Sequence, residues 1–148
     1  MKINTQTLKF SVVEHQTPLE LPFFQSKVSA GFPSPAEDYE EQKLDLNKKL
    51  VKNQSSTFFV TVQGHSMIDA GINDGDMLIV DRALHPSNNT IAVCVIDNEF
   101  TVKRISKTKE GFFLMPENKA YKPIKVTEDN NFEVWGVVSY VIKNTIKI

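Results

Sequence analysis

The sequence predicts a mostly β fold of small antiparallel sheets, with one or two short helices and an extended N-terminal arm. Three observations carry this. From residue 57 onward, short runs rich in Val, Ile, Phe and Thr recur at strand length. Turn chemistry separates them: Asn73-Asp74-Gly75-Asp76, Pro86-Ser87-Asn88-Asn89 and the tight Asp97-Asn98 reversal. Helix start signals, by contrast, are confined to the stretch between residues 34 and 51.

In chain order, the arm of residues 1–30 contains Leu8, Phe10, Val12 and Val13, which alternate well enough for one short strand. Ser34-Pro35-Ala36-Glu37 reads as a helix start. Ser34 would be the N-cap, Pro35 would sit where a missing N–H costs nothing, and Glu37 would close a capping box. A second start at Asp45 precedes residues 46–51, with Leu46 and Leu50 on one face. Strands are expected at 57–63, 77–81, 90–96, 99–105, 111–115 and 132–142. Whether they close as a barrel or stay a sandwich is beyond the pattern.

Composition bounds the function. A chain of 148 residues suits one compact domain plus a tail, and 41% hydrophobic with 24% charged residues is ordinary for a globular protein. The net charge of -1 gives no electrostatic footprint for nucleic acid, so sequence-specific DNA binding is not expected. The lone Cys94, in an apolar run, has no intrachain disulfide partner and should pack as a small hydrophobe, which suits a reducing cytoplasm. No apolar stretch reaches the roughly 18 to 20 residues of a membrane helix, and the N-terminus lacks the apolar core of a signal peptide. A cytoplasmic location with no membrane partner is expected.

Ser66 ends a strand in Gly64-His65-Ser66-Met67, where glycine frees the backbone and a hydroxyl could stand beside backbone N–H donors. A serine that merely caps a turn explains the same spacing. His65 is a poor base for it, because successive residues of extended chain point to opposite sides. His15 and His85 lack any flanking catalytic pattern. Lys103 lies inside a strand, on one face with Thr101 and Ile105 and opposite Arg104. Withdrawn from water it would lose its proton more readily and could serve as a base, although the strand by itself favours a solvated edge lysine. The aspartates between residues 69 and 81 lack the ligand run of a calcium loop, and no metal is expected.

Taken together, Gly64-His65-Ser66-Met67, then Gly75-Asp76 before an apolar strand, then Thr101-Val102-Lys103 resemble the serine-lysine signature of the LexA and UmuD self-cleaving proteins, the S24 peptidases. Ala30-Gly31-Phe32-Pro33-Ser34-Pro35-Ala36-Glu37-Asp38-Tyr39 resembles the cleavage segment of UmuD-type proteins, and Leu44-Asp45-Leu46-Asn47 continues the likeness. The resemblance implies a LexA/signal-peptidase-like β-domain in which Ser66 attacks the carbonyl of Ala30 and neutral Lys103 accepts its proton. Backbone N–H groups near Ser66 would hold the oxyanion, with no cofactor. It further implies that residues 1–30 are removed and that residues 31–148 form the peptidase and dimerisation domain. UmuD-like proteins are homodimers, are stimulated by a RecA–single-stranded DNA filament, and once trimmed serve a UmuC-like error-prone DNA polymerase in the SOS response. LexA-like repressors carry an N-terminal helix-turn-helix, which the short strand-like arm does not supply, and this favours the UmuD branch. Two other readings stay open: a non-enzymatic dimeric module that binds a polymerase, with Ser66 and Lys103 unused, and a signal-peptidase-like enzyme acting in trans, against which the missing anchor argues.

Overall fold

The computed structural model describes residues 8–12, 18–24, 30–32 and 41–146. They fall into two units, one spanning residues 14–52 and the other combining residues 1–13 with 53–148. The helix start expected at Ser34 lies outside the described residues.

The smaller unit holds an antiparallel pair, β1 (Glu20–Phe24) and β2 (Glu41–Asp45), followed directly by helix α1 (Leu46–Leu50). The strands were not expected. Pro22 argues against a strand except at an edge, which a two-stranded ribbon supplies on both sides, and Glu41-Gln42-Lys43 carries no apolar alternation. The helix start at Asp45 is as expected: its carboxylate accepts from the N–H of Asn47 at 3.0 Å and also from that of Leu19 at 3.1 Å. Ala30, Gly31 and Phe32 form an exposed bend.

In the larger unit eight strands form one sheet: β3 (Leu8–Val12), β4 (Thr57–Val62), β5 (Met77–Asp81), β6 (Ile91–Ile96), β7 (Glu99–Thr108), β8 (Gly111–Met115), β9 (Ile124–Val126) and β10 (Phe132–Ile142). The spatial order is β3-β4-β5-β10-β6-β7-β8-β9, antiparallel throughout. Every strand expected from residue 57 onward is present. The three-residue β9 was missed because Ile124-Lys125-Val126 is too short to show a period.

The position of β10 organises the unit. Its first half pairs with β6 and its second with β5, and irregularities between Val134 and Gly136 and between Val138 and Tyr140 let one strand serve both neighbours. Gly136 is required there by close approach, since a Cβ would stand 2.6 Å from Val80 Cγ1. Both faces of the central strands are covered. Val60, Val62, Met67, Leu78, Val93 and Val102 form one apolar core, while Ala92, Cys94, Ile96, Ile105 and Leu114 form a second. Residues 91–96 therefore alternate between two interiors, which explains an unbroken apolar run in an antiparallel sheet. Cys94 is fully buried in the second core, packed as a small apolar side chain. At Asp97-Asn98 both residues have positive φ, 49° and 67°, so the β6–β7 hairpin closes through the tight reversal its sequence announced.

Candidate active site

The loop after β4 is shaped by Gly64, whose φ of 108° is strained for any residue with a side chain. Three external hydrogen bonds hold this loop. The N–H of Gly64 donates to Asp74 Oδ1 at 2.7 Å, the amide of Asn118 donates to the His65 carbonyl at 2.8 Å, and the N–H of Glu117 donates to the Ser66 carbonyl at 2.8 Å. A short 3-10 turn, Ile68–Ala70, follows and ends at Gly71, whose φ is 79°. Among the described residues, no acceptor takes the N–H of Ser66 or of Met67.

On β7, alternation turns Thr101, Lys103 and Ile105 to the same side, and all three are buried. Lys103 is 1% exposed, the largest fully buried side chain of the described residues. Its Nζ lies 3.1 Å from Ser66 Oγ, 2.5 Å from Thr101 Oγ1 and 3.1 Å from the Val102 carbonyl. Ser66 is itself 1% exposed. Ser66 and Lys103, 37 residues apart, thus meet in a buried site.

Burial pushes the Lys103 amine down from 10.5 to about 8, because removal from water penalises the ammonium. Charge on Cys94 would oppose that shift, but burial holds the Cys94 thiol up at about 12, so it is neutral near pH 7. Three partners around one amine suit two states. An ammonium donates to all three, whereas a neutral amine donates to Thr101 and Val102 and turns its lone pair to the Ser66 hydroxyl. In the second state the serine proton already points at a base.

His65 is exposed, and no hydrogen bond joins its imidazole to Ser66. His85 is exposed in the loop between β5 and β6, and His15 lies outside the described residues. Ala30 and Gly31 belong to the smaller unit, and the space where a Gly31 Cβ would stand is open. Among the described residues, no group of three His, Cys, Asp or Glu could hold a metal ion. The aspartates hold neighbouring loops: Asp74 accepts from the Gly64 N–H, Asp76 accepts from the Asn73 N–H and pairs with the Lys143 side chain, and Asp81 accepts from the Asn53 and Ser56 side chains and the Ala83 N–H. Sequence reasoning missed Thr101 as a partner of Lys103, although the spacing of two along a strand was its signal. It also missed Glu117 and Asn118, which carry no local signal because they reach the serine loop only through the fold.

No helix among the described residues is long and apolar enough to cross a membrane. The profile of the family described as Peptidase S24-like matches residues 22–139. The chain is 46% identical to Protein MucA of Salmonella typhimurium over 121 residues, which is 81% of this chain and 82% of that protein. Protein SamA, also of Salmonella typhimurium, is 39% identical over 136 residues, covering 90% of this chain and 94% of its own length. The LexA repressor of Delftia acidovorans is 35% identical over 131 residues, 88% of this chain but 58% of the repressor. A profile match across most of the chain, with MucA and SamA 46% and 39% identical over 82% and 94% of their own lengths, makes the chain a UmuD-like member of the peptidase S24-like family.

Proposed function

We propose that this chain is a self-cleaving serine peptidase of the SOS response, with Ser66 as nucleophile, Lys103 as general base and the Ala30–Gly31 bond as substrate. The observation that carries the reading is the 3.1 Å contact between Lys103 Nζ and Ser66 Oγ in a buried site. A lysine almost wholly removed from water and bonded to a serine is expensive to keep as mere scaffolding, and the same burial makes it a base near neutral pH.

The steps follow from these atoms. Neutral Lys103 takes the hydroxyl proton as Ser66 Oγ bonds to the carbonyl carbon of Ala30. The N–H groups of Ser66 and Met67, without other acceptors, are the donors available to the oxyanion. When the intermediate collapses, the C–N bond breaks and the Lys103 ammonium returns its proton to the departing amine of Gly31. Water then hydrolyses the ester that links Ser66 to residues 1–30, with Lys103 again as base. Thr101 keeps the amine aimed throughout. The products are residues 1–30 and residues 31–148.

By its membership of the UmuD-like group, the chain is proposed to act as a homodimer, to respond to a RecA–single-stranded DNA filament, and after trimming to assist an error-prone DNA polymerase. Incubation with RecA, single-stranded DNA and a nucleotide, followed by intact-mass spectrometry, tests the reading. A fragment beginning at Gly31 is expected from the wild-type chain and none from Ser66→Ala. A Ser66→Ala protein that still yields this fragment would overturn it.

A further inference from the structure

Arg104 follows the proposed base on β7 and, by alternation, leaves the opposite side of the strand. Its Nε donates to Glu117 Oε1 at 2.5 Å and its Nη1 to the Asn89 carbonyl at 2.7 Å. The strand under it is fixed on both sides, with Arg104 opposite Ile91 of β6 and opposite Met115 of β8. Glu117 lies two residues past the end of β8, where no ladder holds the chain. Its backbone is nonetheless engaged twice: its N–H donates to the Ser66 carbonyl, and its carbonyl accepts from the Asp69 N–H, both at 2.8 Å. The next residue, Asn118, holds the His65 carbonyl. A continuous path therefore runs from the Arg104 guanidinium through Glu117 to both sides of the nucleophile.

We infer that Arg104 is a positioning residue: by clamping Glu117 to a rigid part of the sheet, it holds the backbone of Ser66 where Oγ meets Lys103. The inference rests on the roles proposed above for Ser66 and Lys103. A half-exposed ion pair of this kind, with both side chains 31% exposed, adds little to stability, so its consequence should be geometric. One β-strand would then carry both the base and, on its other side, the brace of the nucleophile. Lysine at position 104 could face Glu117 but could not also reach Asn89 in the same fork.

The test compares wild-type, Arg104→Lys and Arg104→Gln chains by their rate of self-cleavage against pH and by thermal unfolding. Misplacement of the nucleophile should lower the plateau rate about tenfold to a hundredfold in Arg104→Gln, and less in Arg104→Lys. The pH midpoint and the melting temperature should stay near those of the wild type, because Lys103 remains buried. An unchanged plateau overturns the inference, as does a loss of rate accompanied by a midpoint shifted towards 10.5 and early melting, which marks general loosening. A second measurement is independent of cleavage. In 15N-labelled protein, the Ser66 and Met67 amide resonances should shift in Arg104→Gln and move back in Arg104→Lys, and unmoved amides overturn the brace. If the amides move but no wild-type chain cleaves, the brace stands and the catalytic reading of Ser66 and Lys103 is the one that fails.

Discussion

Replacing Lys103 with methionine should change how stability depends on pH, and the structure sets the size of the change. Lys103 is 1% exposed and its amine falls from 10.5 to about 8 on folding. The folded chain thus gives up this proton more readily than the unfolded chain. Below pH 8 both states carry the ammonium, and folding bears the full penalty of burying it. Between pH 8 and 10.5 the unfolded state binds more protons, so wild-type stability rises with pH, and above 10.5 the contribution is flat. At 1.36 kcal/mol per unit, the rise from neutral pH to the upper end of that window amounts to about 3 kcal/mol. Lys103→Met lacks it. Methionine also leaves the Thr101 hydroxyl and the Val102 carbonyl without their donor, a loss of about 1–3 kcal/mol that offsets part of the gain at pH 7 but does not vary with pH. The assay is urea unfolding from pH 6.5 to 10.5, with Ser66→Ala in both chains to prevent cleavage. The difference between them should move by about 3 kcal/mol in favour of the lysine chain as pH rises. Parallel curves would refute the claim that burial holds this amine below its ordinary range.

As the proposed base, the same amine should also govern the rate. With half-deprotonation at about pH 8, self-cleavage should rise about tenfold from pH 7 to a plateau above pH 9, read as initial rates of fragment formation, and Lys103→Arg should stay inactive throughout. A plateau reached by pH 7 would instead implicate a histidine, and a rise continuing to pH 10.5 would mean a solvated lysine. Gly31→Glu should abolish the fragment that begins at residue 31 while leaving the melting temperature within a few degrees of wild type, since nothing lies within 4 Å of the added Cβ. Normal cleavage of that variant would move the scissile bond elsewhere. Gly136→Ala should destabilise by about 1–3 kcal/mol in urea unfolding, because its methyl would meet Val80 at 2.6 Å. A neutral result would mean that β10 can shift away from β5 at little cost.

Much of the fold was legible one element at a time. Apart from the three-residue β9, the strands of residues 57 to 142 declared themselves because β-branched and aromatic runs stop at turn residues, and Asp97-Asn98 tolerates the positive φ that its reversal needs. Elements of the smaller unit were legible where a cap marks them, as at Asp45, and illegible where strand chemistry is weak, as at Pro22 and Glu41-Gln42-Lys43. Period alone did not single out Ser66 or Lys103, since a turn serine and an edge lysine read the same way. What distinguished them was the combined resemblance of the serine loop, Gly75-Asp76 and the lysine strand to one family.

By itself the sequence determined local matters: which segments extend, where they turn, and which face of β7 carries Lys103, since each is set by residues within a few positions. Only the tertiary structure decided that the last strand, β10, enters between β5 and β6, that residues 91–96 serve two cores, and that Ser66 and Lys103 stand 3.1 Å apart with both side chains buried. It alone joined Arg104 to Glu117 and Glu117 to Ser66. The physical reason is the same in each case. Burial, and with it the lowered proton affinity of Lys103, comes from side chains brought together by segments distant in the chain, such as the serine loop against β7 and β10 against β6, and no local period records that pairing.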